Sequence, residues 1–78
     1  MPMKREIIEA GNTQSFANAL RKLRTSRLPA VSQRMLANAL GVSRDTYARY
    51  ENGTRLPPAW FVAKAAAYFG VSTDELLQ

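Results

Sequence analysis

Apolar residues fall along this chain in short runs at helical spacing, each opened and closed by polar punctuation. Phe16, Leu20 and Leu23 recur three or four positions apart, and Leu36, Ala37 and Leu40 do the same. Tyr47 and Tyr50 resume the pattern after Gly41, as do Val62, Ala66 and Phe69 after Pro57-Pro58. Three helix starts share one device: Val31-Ser32, Val42-Ser43 and Val71-Ser72 set an N-cap serine behind a valine. Each valine can staple to an apolar residue five positions on, namely Leu36, Tyr47 or Leu76, and Glu75 adds a capping box to the last start.

The breaks are as readable as the runs. Pro29 disfavours a helical Leu28 and makes 26–31 a loop. Gly41 is placed for the left-handed turn that ends a helix cheaply, and Gly70 closes another. Asn52-Gly53 is a turn, and proline loses nothing at a helix's first positions, so a helix starts at Pro58. The pattern predicts an all-α domain of five short helices: Thr13 or Ser15 to about Thr25, Gln33 to Leu40, Arg44 to Glu51, Pro58 to Phe69, and one after Ser72. Residues 1–12 read as an N-terminal arm, poorly ordered or dimer-associated, whose Ile7 and Ile8 could pack on the body or a partner. Residues 13–78 form the domain. Its second and third helices meet about a short turn, with the small Ala37 at their contact, which makes a helix-turn-helix.

With Val42, Tyr47 and Tyr50 turned inward, the third helix presents Arg44, Asp45, Ala48 and Arg49 outward. Arginines in the first turns of an exposed helix suit the DNA major groove, where Arg grips guanine O6 and N7. Charge strengthens that reading. The net +5 is uneven: residues 21–55 carry eight Lys/Arg against Asp45 and Glu51, a local +6, as a polyanion-binding surface requires. With no cysteine and no histidine, the common zinc sets and thiol chemistry are excluded, and a reducing cytoplasm is favoured. No nucleophile–base pair or metal cluster is visible, so no enzyme activity, cofactor or metal is expected. No apolar run approaches a membrane span, and the N-terminus lacks a signal peptide's apolar region.

Ser32–Gly53 resembles the helix-turn-helix of the phage Cro and repressor type, the XRE family. The matching features are S-Q opening helix two, L-A within it, L-G-V-S at the turn and Y-E-N-G closing helix three. L-P-P before helix four and the closing F-G-V-S-T-D-E-L-L are similar to the family as well, so the resemblance covers roughly residues 16–77. The helix one–two loop is longer than the family's usual spacing, and the Pro-Pro start with Trp60 departs from it. The resemblance implies a compact five-helix repressor-like fold that binds double-stranded DNA through a recognition helix at about 43–51. It places Gln33 on a phosphate at the helix-two N-terminus. Ser43, Arg44, Asp45 and Arg49 take base-facing and backbone-facing positions, and Asn52, Thr54 and Arg55 meet phosphate in the following loop. It also implies that Arg24 and Glu51 form an ion pair tying helix one to the end of helix three.

Several residues carry a second reading. Asp45 could accept from cytosine N4, or could simply suit a helix N-terminus. Ala48 touches a thymine methyl or nothing. Arg27 reaches a phosphate or stays a solvated loop charge. Tyr47 and Tyr50 could stack on bases, but their spacing assigns them to the core. The function expected is transcriptional regulation as a repressor in a prokaryotic or phage-encoded setting, cytoplasmic and nucleoid-associated. A homodimer would sit on a pseudo-palindromic operator, associating through helix four or five with Trp60, Phe61 or Leu77. The alternative is a protein-interaction module, of antitoxin or coactivator type, that uses a Trp60/Tyr68 face.

Overall fold

The computed structural model describes residues 11–77, so Ile7 and Ile8 of the expected arm lie outside it. Five helices form among the described residues: α1 Gly11–Thr25, α2 Gln33–Leu40, α3 Arg44–Asn52, α4 Ala59–Phe69 and α5 Thr73–Leu77. α1 begins at Gly11, ahead of Thr13 or Ser15. A first turn has no intrahelical partner for its N–H groups, so Gly11-Asn12 interrupts no bond there. α4 begins one residue after Pro58, which is itself the N-cap, with ψ at 161° and its carbonyl accepting from Phe61 and Val62.

The serine caps form as the sequence suggests. Met35 N donates to Ser32 Oγ at 3.0 Å and Thr46 N to Ser43 Oγ at 3.1 Å. At α5, Glu75 N donates to Ser72 Oγ at 3.1 Å while Ser72 N donates to Glu75 Oε1 at 2.8 Å, which is a complete capping box. Gly41 takes φ 81° between α2 and α3, and Val42 N closes onto Ala37 O at 3.0 Å. A side chain at that φ is strained, so glycine allows the sharp turn that the helix-turn-helix needs.

α1 packs on α3 and α5, α2 on α3 and α4, and α4 on α5. The core holds Phe16, Leu20, Leu36, Ala37, Leu40, Tyr47, Tyr50, Val62 and Ala66 together with Phe61, Ala65 and Leu76. Val31, Val42 and Val71 pack against its edge, as the staples require. Phe61 corrects an expectation. It is fully buried, with Tyr50, Tyr47 and Phe16 ring centroids at 4.5, 6.3 and 6.3 Å, so it centres the aromatic core and offers nothing to a dimer surface. The residue beside it, Trp60, remains half exposed, and Leu77 is partly buried against the core.

Candidate nucleic-acid interface

α3 is fixed to the body by one carboxylate. Glu51, in its last turn, is 2% exposed and sits where α1, α2 and α3 meet. Oε2 accepts from Arg24 Nε at 2.8 Å and from the Tyr47 hydroxyl at 2.7 Å. Oε1 accepts from Arg24 Nη2 at 3.1 Å and from Gln33 Nε2 at 2.7 Å. The third guanidinium nitrogen, Arg24 Nη1, donates to Val31 O at 3.0 Å and so pins the loop just before α2. Arg21 Nη2 reaches the Glu51 carbonyl at 3.4 Å. The paired oxygens are thereby fully used, and no buried side-chain polar atom among the described residues lacks a partner.

The titration of these groups follows from the same contacts. Burial alone would raise the Glu51 carboxyl, but the bonds from Arg24, Tyr47 and Gln33 outweigh it and hold the pKa below the usual carboxylate value. The Glu51 bond raises the Arg24 guanidinium against its partial burial. Burial first, and the bond to Glu51 second, push the Tyr47 hydroxyl far above its usual range.

This anchoring leaves the opposite side of α3 bare. Arg44, Asp45 and Arg49 are exposed and Ala48 half-buried, while Tyr47, Tyr50 and Glu51 face in. Arg44 Nη1 lies 3.7 Å from Asp45 Oδ1, a loose ion pair between neighbours. Ser43 is committed locally, since its hydroxyl donates to Thr46 Oγ1 at 3.0 Å besides capping Thr46 N. Asn52, expected in the following loop, is instead the exposed last residue of α3; Thr54 and Arg55 are exposed in the loop, and Thr54 Oγ1 donates to Arg49 O at 3.3 Å. Gln33 is half-buried at the start of α2 with one amide proton on Glu51. Among the described residues, Arg34, Arg49 and Arg55 have no acidic partner.

Arg27 is exposed, as a loop charge should be, but it is held in place rather than free. Its Nη2 donates to Tyr68 O at 3.0 Å, and its guanidinium carbon lies 5.2 and 5.1 Å from the Tyr68 and Phe69 ring centroids. The cation closes the C-terminal end of α4, where terminal carbonyls and the helix dipole favour it, and the aromatic faces hold it there.

Sequence reasoning missed Gln33 and Tyr47 as ligands of the Glu51 carboxylate. Tyr47 was legible, because residues four apart share a helix face. Gln33 lies eighteen positions away with no local signal, so only the fold brings it there.

The helix-turn-helix domain family matches residues 15–78 of the chain. A Vibrio cholerae protein, the cryptic phage CTXphi transcriptional repressor RstR, is 39% identical over 62 residues, which is 80% of this chain and 54% of that protein. A Bacillus subtilis (strain 168) protein, the SPbeta prophage-derived uncharacterized HTH-type transcriptional regulator YonR, is 40% identical over 63 residues, or 81% of this chain and 56% of its own length. The chain thus spans about half the length of these relatives. No solved structure matches it significantly.

Proposed function

This chain belongs to the helix-turn-helix domain family, in its Cro and repressor type, and on that premise we propose that it is a sequence-specific DNA-binding transcriptional regulator acting as a repressor. The observation that carries the reading is the bare face of α3. Arg44, Asp45, Ala48 and Arg49 point away from a body to which Tyr47, Tyr50 and Glu51 lock the helix, within a segment of local charge +6. In this reading α3 enters the major groove, Arg44 and Arg49 grip guanine O6 and N7, and Ala48 approaches a thymine methyl. Gln33 turns its second amide proton to a phosphate beside the α2 N-terminus, and Asn52, Thr54 and Arg55 continue along the backbone. Ser43 takes part through the cap that fixes the first turn of α3.

One helix of this length contacts too few bases to specify a site. A two-fold dimer would set two copies of α3 about 34–36 Å apart on a pseudo-palindromic duplex in the cytoplasm. Trp60, an aromatic 51% exposed on α4, would bury itself between copies. The same residue, with Tyr68 at 38%, supports the second reading, a protein-interaction face on α4. Selection of bound sequences from random duplexes separates the two. The regulator reading expects a two-fold-symmetric consensus. A folded protein that enriches nothing would contradict it and leave the protein-interaction reading.

A further inference from the structure

We propose that Asp45 is a specificity-determining residue whose carboxylate accepts a hydrogen bond from cytosine N4, beside the guanine held by Arg44. The proposal rests on the major-groove reading of α3. Three observations lead to it. First, the cap bond of α3 is made by Ser43, whose Oγ accepts from Thr46 N at 3.1 Å, and no backbone N–H donates to the Asp45 side chain among the described residues. Second, the Asp45 side chain is 84% exposed, and its nearest cation, Arg44 Nη1, stands at 3.7 Å, beyond hydrogen-bond length. Third, no other described acidic side chain shares that face: Glu51 is buried in its own network, and Asp74 and Glu75 lie in α5.

An ionised carboxylate is acceptor-only. Phosphates, guanine N7 and O6, and thymine O4 are acceptors too, so each repels it. Adenine offers the N6 donor beside the N7 acceptor, whereas cytosine offers N4 with no acceptor beside it on its own major-groove edge. Cytosine is therefore the base against which this carboxylate is satisfied. The Arg44 fork and the Asp45 carboxylate form an adjacent donor–acceptor set, which matches a guanine next to a cytosine along the groove. On guanine or thymine Asp45 faces acceptors alone, and on adenine it meets N7 beside the donor, so it acts by exclusion as much as by attraction.

The test is selection from random duplexes with the wild type, Asp45→Ala and Asp45→Asn, with helix content checked by circular dichroism. The wild type should select a cytosine adjacent to a guanine. Asp45→Ala should lose that cytosine preference, roughly tenfold in discrimination, while keeping the guanine. It should also bind scrambled duplex at least as tightly, because a charge repelled by phosphate is gone. Asp45→Asn should move the preference from cytosine to adenine, whose N6 and N7 suit an amide. Variants that keep the wild-type consensus at every position overturn the proposal alone. A wild type that selects no sequence overturns the major-groove reading, and the proposal with it.

Discussion

Glu51 is the residue on which the orientation of the candidate reading helix depends. Its carboxylate joins Arg24 of α1, Gln33 of α2 and Tyr47 of α3, so losing it unfastens three helices at once. Arg24→Ala leaves a 2%-exposed charge without its cation and should destabilise by about 3–5 kcal/mol, well above the ~0–1 kcal/mol of an exposed pair. A chemical-denaturation midpoint unchanged in Arg24→Ala would contradict that. pH provides a second handle. Because the folded Glu51 pKa lies below the unfolded one, its contribution is complete above the unfolded value, about 4.3, and is lost as pH falls through the folded value. Wild-type stability should therefore drop below about pH 4 more steeply than that of Glu51→Gln, and parallel acid limbs would rule this out. The Arg24–Glu51 pair was legible from the motif resemblance. The Gln33 bond was not, because a contact across eighteen residues leaves no periodic trace.

At the scale of the helices, local chemistry placed the boundaries well. Caps and left-handed glycines act within a turn, so Ser32, Ser43, Ser72, Gly41 and Gly70 each show in the sequence where the chain obeys them. The expected boundaries shifted at Gly11 and Pro58, positions where the first N–H groups have no helical partner and the sequence barely constrains the end. The assignment of inward faces fared less evenly. Trp60 and Phe61 are consecutive aromatics. The period that sets Val62, Ala66 and Phe69 inward puts Trp60 with Lys64 and Tyr68 on another face, but the sequence reading offers Phe61 to a dimer surface. The structure takes Phe61, because α4 turns that face to Phe16, Tyr47 and Tyr50. Ala37 tests the packing of α2 against its neighbours. It is fully buried, so Ala37→Val should cost about 1–3 kcal/mol by overpacking, read as a lowered thermal midpoint. A midpoint equal to wild type would mean that the helices leave room there.

Across the whole molecule, the local +6 survives the pairing seen in the fold, because Arg24 and Glu51 already cancel in that count. Of the eight cations in residues 21–55, Arg24 is engaged by Glu51 and Arg27 is held at the end of α4, which leaves Arg21, Lys22, Arg34, Arg44, Arg49 and Arg55 exposed. If each protomer of a dimer neutralises about three phosphates, log affinity should fall against log salt with a slope of about −5. Arg27→Ala should leave that slope unchanged, whereas Arg55→Ala should make it shallower by about one to two units for the dimer. A slope that shifts with Arg27→Ala would return Arg27 to the DNA. The central claim is that α3 reads bases rather than merely holding the backbone. It is tested most directly by titrating Arg44→Ala and wild type against a selected duplex and its scrambled version. Arg44→Ala should lose about 1–3 kcal/mol per half-site on the selected duplex and little on the scrambled one. Equal loss on both would make Arg44 a phosphate clamp and contradict base reading by this helix.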